Sequence, residues 1–304
     1  MIAAAITKLR LRYLFVMAQV LRRVLRRTND SGIVRIYPIG CTHLGAAAAD
    51  EKRLEEYVER VEKDKDGYWI GMGDYGDYIN RNDRRFNAEC ISPWLRPYLN
   101  DITRVQTKRV LSYLEPIAGK CLGLAEGNHE RTQTKHYERN VFLDIVDGVK
   151  RAAGHPDDFS LSMGYTGWIY LTVPKALDGN TKRGTYNLRI NCHHGSGGAS
   201  TRSGRLTKLE KYAMLVDADL VLVGHMHDVQ KIPIHMRTIK GEYEKTVPKW
   251  AALTGTFLDA RNPDGYVTYG EEKMYAPLPP SNIVIEWRST NRDPYKAIKI
   301  MEEW

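Results

Sequence analysis

The chain has 304 residues, of which 42% are hydrophobic and 27% charged. This is the profile of a soluble globular protein long enough to bury its own core without a disulfide scaffold. The net charge of +8 is concentrated at one end: Lys8, Arg10, Arg12, Arg22, Arg23, Arg26 and Arg27 stand against Asp30 alone. The rest is nearly neutral, which removes the argument from a basic isoelectric point to a nucleic-acid-binding domain.

In chain order, residues 4–27 lack Gly and Pro and mix Leu, Val and Ala with Arg, which predicts a basic N-terminal helix. The turn residues of 28–32 end it, so the expected division is an arm over 1–30 and a main domain over 31–304. The uncharged stretch Tyr13–Leu21 is too short to span a membrane, and no small-residue cleavage pattern follows it. Ile33–Ile39 is a strand candidate. Asp50–Glu62 has helical period, with Leu54, Tyr57, Val58 and Val61 on one face. Strands follow at Tyr68–Met72 and Cys121–Ala125, and helices at Tyr98–Leu114 and Tyr137–Ala152. Residues 159–192 are β-rich. Leu206–Leu215 reads as a helix, Leu220–Val223 as a strand, and residues 229–258 as strands with turns. The Pro-rich tail after Ala260 is expected to be irregular. This alternation predicts an α/β domain. Cys41, Cys90, Cys121 and Cys192 form no CxxC pair, which points to a reduced, cytoplasmic setting.

In open α/β sheets, functional residues gather beyond the carboxyl ends of strands. Five such loops here carry metal-type side chains: Cys41-Thr42-His43, Gly73-Asp74 with Asp77, Gly127-Asn128-His129-Glu130, His193-His194-Gly195, and Gly224-His225-Met226-His227-Asp228. One histidine beside a strand end is ordinarily a hydrogen-bonded surface or core residue, and one aspartate there a turn former. Five loops in one chain hold six of its nine histidines, a mixture of imidazole and carboxylate that suits Zn, Fe or Mn.

In order and combination these blocks resemble the signature of the calcineurin-like metallophosphoesterases, over roughly residues 33–260; a weaker likeness is to phosphoesterases of bacteriophage and prophage genomes. The resemblance implies a β-sandwich flanked by helices (αββα) and two divalent ions, Mn, Zn or Fe. It implies that His43 and His227 bind the first metal, that Asp74 bridges, and that Asn128, His194 and His225 bind the second. His194 is preferred to His193 because the family ligand directly precedes Gly. His129 is implied as the general acid beside the scissile phosphate. Cys41 stands where the family carries Asp, and reads equally as a soft thiolate ligand or as a small buried residue.

Arg81, Arg84 and Arg85 follow the Asp74 loop, and Arg202 and Arg205 follow the His194 loop. Both groups are candidates for contact with substrate phosphate, with a solvated loop as the alternative. Asp77 and Asp228 are candidate acceptors behind the metal-held histidines. The expected activity is metal-dependent hydrolysis of phosphodiesters, with a DNA nuclease or repair exonuclease as one form of it. The alternatives are a phosphomonoesterase acting on phosphoprotein or nucleotide, and a degenerate member serving as a binding scaffold. The basic N-terminal segment is a candidate contact for anionic membrane or nucleic-acid backbone.

Overall fold

The computed structural model describes residues 20–26, 30–260, 278–291 and 293–304. β2 (Ile33–Ile39), β3 (Gly67–Gly71) and β4 (Cys121–Ala125) are short apolar runs that pair in parallel. Such runs suit strands covered on both faces. Successive side chains leave a strand on opposite sides. Val34, Ile36 and Ile70 enter one core, while Tyr37, Ile39, Trp69 and Leu124 enter another.

The second of these cores lies under helices. α1 (Glu51–Lys63) buries Leu54, Tyr57, Val58 and Val61, and Asp50 caps it by accepting from the Arg53 N–H at 2.9 Å. α2 (Ile102–Leu114) contributes Val110 and Leu114. α3 (Asn128–Tyr137) leads out of β4 and breaks at Glu138, which takes a left-handed φ of 55°. α4 (Val141–Ala152) then adds Val141, Phe142, Ile145 and Val149. The helix expected over Tyr137–Ala152 is therefore the second of two.

β5 (Ser162–Gly164) pairs with β4. β6 (Thr166–Pro174) and β7 (Thr185–His193) are antiparallel, and β8 (Leu220–Val223) lies parallel to β7. β10 (Tyr243–Thr256) continues this sheet parallel to β8, with β9 (Val229–Lys240) antiparallel beside it. Ile169, Leu171, Leu188, Ile190 and Leu222 face the core that Ile36 and Ile70 enter from the other sheet. On the far side, α5 (Arg202–Met214) packs Leu209 and Ala213 against Val221, Val223 and Leu253. The order through the molecule is thus helices, sheet, sheet, helix. Gly255 and Thr256, at the end of β10, join the two by pairing with β11 (Ser281–Arg288), which runs antiparallel to β2 and to β12 (Ile298–Glu303).

Two expectations need correcting. The described part of the expected N-terminal helix is strand β1 (Val20–Val24), parallel to the outer edge of β6. Alternation along it leaves Val20 and Val24 exposed and turns Leu21 to the core. Leu21 and Leu25 are both buried there, and Arg23 donates to the carbonyls of Leu122 and Ser160 at 2.9 and 2.6 Å. Residues 1–19 lie outside the described part. The C-terminal tail likewise supplies two strands: Ile283, Val284, Ile285 and Trp287 are buried just beyond the prolines that suggested irregularity. Among the described residues no helix is long and apolar enough to cross a membrane.

Candidate metal centre

The five loops all leave the carboxyl ends of β2, β3, β4, β7 and β8. The first two run side by side and prolong the parallel pairing of their strands. Cys41 N–H donates to the Gly73 carbonyl at 2.8 Å, and the N–H groups of Thr42 and His43 donate to that of Asp74 at 2.9 and 3.1 Å. Cys41, His43, Asp74, His225 and His227 all have positive φ, between 45° and 66°. That region is unfavourable for residues with a Cβ, and costs of this kind concentrate at functional sites. The sharp turns aim consecutive or alternate side chains at one point.

The side chains meet in three overlapping groups. Ligand-type atoms of Cys41, His43 and His227 lie within 4.8 Å of one another, as do those of His43, Asp74 and His129, and those of Asp74, His194 and His225. His43 Nε2 is 3.1 Å from His227 Nε2. His194 Nε2 is 3.0 Å from Asn128 Oδ1 and 3.1 Å from Asp74 Oδ2. His194 Nδ1 faces the Met72 carbonyl at 2.7 Å and must donate to it. In the neutral ring, Nε2 therefore points a lone pair at two oxygens. Burial opposes charge on His194, yet the Asp74 carboxylate outweighs it and raises the pKa. Burial also opposes ionisation of Asp74, and His194 and His129 overcome it, holding the carboxyl well below its usual range. Burial, and then His43, drive the His227 pKa well down, so this ring is a neutral donor.

The chemistry of the donor set suits a cation. Asp74 Oδ2 is buried with only imidazole rings to face it, His194 Nε2 at 3.1 Å and His225 Nδ1 at 3.8 Å, and His225 Nδ1 has no hydrogen bond of good geometry. Stranded polar atoms of this kind cost about 1–3 kcal/mol each. Imidazole nitrogens, a carboxylate, an amide oxygen and a thiol converging on them form a donor set for borderline divalent ions. The residues present therefore fit a metal. Cys41 Sγ already accepts from the His225 N–H at 3.2 Å, and burial raises its thiol pKa well above normal, so a cation would be needed to hold the thiolate.

Glu130 is the residue that sequence reasoning quoted and left without a role. Its fully buried carboxylate accepts from the N–H groups of Asp74, Tyr75 and Gly127 at 2.9, 2.8 and 2.9 Å, tying the β3 loop to the β4 loop. Burial, with the charge of Asp74, pushes its pKa up to about 7. Gly127 allows this approach: a Cβ there would stand 2.1 Å from Asp74 N and 2.2 Å from Asp74 Oδ1. The signal was the acid that closes the Gly-Asn-His-Glu block. Tyr165 was missed outright. It donates to the Gly195 carbonyl at 2.6 Å and stands edge-on to His194, with ring centroids 5.4 Å apart. No sequence pattern marks it.

Of the remaining candidates, Asp77 stands against the cluster and the others do not. His193 Nδ1 accepts from the Gly195 N–H at 2.7 Å, and burial lowers its pKa to about 4, so its neighbour His194 supplies the ring in the cluster. Asp77 faces both His43 Nδ1 and His129 Nδ1, its Oδ1 at 3.5 and 3.7 Å. Asp228 does not support a histidine. It binds Arg202 and Arg205 at 3.3 and 3.4 Å, and Arg205, buried, also donates to the Ala199 carbonyl. These two arginines are thus engaged within the fold. Arg81 is exposed and donates to Asn100, Arg84 is exposed, and Arg85 pairs with Asp83 at 2.8 Å.

No family model and no curated protein matches the sequence. Similar solved structures include vacuolar protein sorting 29 from Cryptosporidium parvum, at 12% identity and a TM-score of 0.37, covering 89% of this chain and 97% of that one. Another is wild-type Vps29 from Entamoeba histolytica complexed with zinc, at 11% and 0.33, covering 88% and 98%. A third is a conserved uncharacterized protein of Streptococcus pneumoniae, a predicted phosphoesterase, at 12% and 0.29, covering 89% and 98%. These likenesses are distant in sequence and loose in superposition.

Proposed function

We propose that the chain is a metal-dependent phosphoesterase of the calcineurin-like type, acting on phosphodiesters. The observation that carries this reading is the convergence of buried imidazole, carboxylate, amide and thiol donors around Asp74 Oδ2. Cys41, His43 and His227 would hold one divalent ion, Asn128, His194 and His225 a second, and Asp74 both. Two such ions neutralise a phosphate and lower the pKa of bound water.

The remaining chemistry belongs to side chains of the protein. His129 Nδ1 donates to the Asp77 carbonyl, which fixes the ring and leaves Nε2 to hold or release a proton. Nε2 is thus the atom able to protonate a departing oxygen. The His129 ring stands edge-on to His43 with centroids 4.7 Å apart, and its backbone N–H binds Asp74 Oδ1 at 2.9 Å, so the β4 turn that carries the acid is tied to the carboxylate of the β3 loop. Glu130 keeps that turn in register with the β3 loop.

The test uses chain stripped with EDTA and then supplied with Mn²⁺, assayed on bis-p-nitrophenyl phosphate and p-nitrophenyl phosphate. The expected result is diester turnover lost on chelation and restored by metal. Turnover of the monoester alone would make it a phosphomonoesterase. Turnover of neither would leave a metal-binding scaffold.

A further inference from the structure

A cleft of about 380 Å³ opens beside the metal centre, lined by Asn128, Arg131, Thr132, Lys135 and Tyr165. Its size falls within the range of small-ligand sites, roughly 300–1,000 Å³. Four of its residues recur at helical spacing along one face of α3. The cleft begins at the site itself, since Asn128 contributes both its lining and the oxygen 3.0 Å from His194 Nε2. Tyr165 forms the facing wall, anchored through its hydroxyl to Gly195 and by its ring edge to His194.

The hydrogen-bonding capacity of this cleft is cationic. The hydroxyl of Thr132 is already spent on the Asn128 carbonyl at 2.7 Å. Arg131 and Lys135 remain, both exposed. The Arg131 guanidinium lies 5.6 Å from the centre of the Tyr165 ring, and one of its nitrogens is 3.8 Å from Glu126. These contacts orient the fork and leave it other donors. Two cations against the single carboxylate of Glu126 give the cleft a net positive charge. Arg131 and Lys135 are about 6 Å apart along the helix axis, at about 1.5 Å per residue. At the start of α3, the N–H groups of Gly127 and His129 are committed to Glu130 and Asp74.

A phosphate at the metal centre does not need these two side chains, and an uncharged leaving group gains nothing from them. Resting on the phosphoesterase reading, we propose that the cleft binds a second phosphate of the substrate, one unit beyond the ester that is cleaved, through Arg131 and Lys135. The substrate is then a molecule carrying several phosphates. A single nucleic-acid strand and a dinucleoside polyphosphate share that chemistry.

The experiment compares kcat/KM for bis-p-nitrophenyl phosphate, for tetrathymidylate and for a dinucleoside triphosphate, in wild type and in Arg131→Gln, Lys135→Gln and Lys135→Arg. Both Gln variants keep a good helix former on an exposed face. The ratio of either many-phosphate substrate to the single-phosphate ester should fall about tenfold with each lost charge, and Lys135→Arg should restore it. For the strand, the salt dependence should also flatten, by about 0.7 in log–log slope per lost phosphate contact. The many-phosphate substrate that responds identifies the source. An active wild type whose ratio is the same in every variant, or falls equally in Lys135→Arg, would overturn the inference alone. A wild type idle on all three esters would overturn the phosphoesterase reading and this inference with it.

Discussion

His129 has Nδ1 committed to the Asp77 carbonyl and its backbone N–H to Asp74 Oδ1, and its Nε2 is proposed to carry a proton rather than a metal. Its removal should therefore touch proton transfer before metal content. His129→Ala is expected to lower diester turnover by about 10²–10⁴-fold, the scale of general acid–base catalysis. Metal measured by elemental analysis should stay near the wild-type level, and a variant that lost its metal would show that His129 is a ligand. Cys41 makes a separate prediction. A buried thiol whose pKa is raised by desolvation becomes a thiolate only beside a cation, and a thiolate favours Zn or Fe over Mn. Cys41→Asp should shift metal preference toward Mn²⁺ in a competition titration, and an unchanged order of preference would remove Cys41 from the ligand set. At this scale much was legible from sequence, because the ligand-type residues sit in short blocks whose spacing survives without any knowledge of contacts. Histidine pairs were harder: adjacency in His193-His194 says nothing about which ring turns inward, and a hydrogen bond from Gly195 decides it. Arg205 was misleading for a related reason. Its place after the His194 loop suggests a contact with substrate phosphate, or else a solvated loop, while its partner, Asp228, comes from another loop.

Elements were readable where their own residues carried the pattern, and unreadable where a distant partner did. The face Leu54, Tyr57, Val58 and Val61 belongs to α1 alone, and helical period exposes it. β1 has no such independence. Its residues could serve a helix equally well, and what makes them a strand is the free edge of β6 and the space between the sheets. A measurable consequence follows for the N-terminal arm, since part of it is core. Leu21→Ala should cost about 2–5 kcal/mol in urea unfolding, as expected for a buried leucine. An exposed arm would give a change near zero. Truncation through residue 30 is accordingly a test of folding as well as of binding, because it also removes Arg23 from the Leu122 and Ser160 carbonyls and from the Phe159 ring, 4.5 Å away. β11 shows the same limit: nearby prolines argued against regular structure, whereas pairing with both β2 and β12 provides it.

Across the whole molecule, the candidate ligands divide by sheet. Cys41, His43, Asp74 and Asn128 follow β2, β3 and β4, while His194, His225 and His227 follow β7 and β8. At this same end the sheets are joined by the short β10–β11 pairing at Gly255 and Thr256 and by the Thr256 hydroxyl and Phe257 N–H on the Cys41 carbonyl, and elsewhere by side-chain packing. An ion held between the two sets would therefore act as a rivet through the sandwich, as well as a reagent. Ligand binding to the native state alone raises stability by about 2.7 kcal/mol at a hundredfold excess over Kd. Chelation should thus lower the urea midpoint. It should also accelerate amide exchange together at residues 41–44 and 224–227, which lie far apart in sequence and in separate sheets. Loss of protection in only one set would mean that the metal is carried by a single layer. If both loosen together, the left-handed turns at five of the ligands gain a mechanical meaning: their strain is borne while the rivet is in place, and its removal frees both layers at the same end.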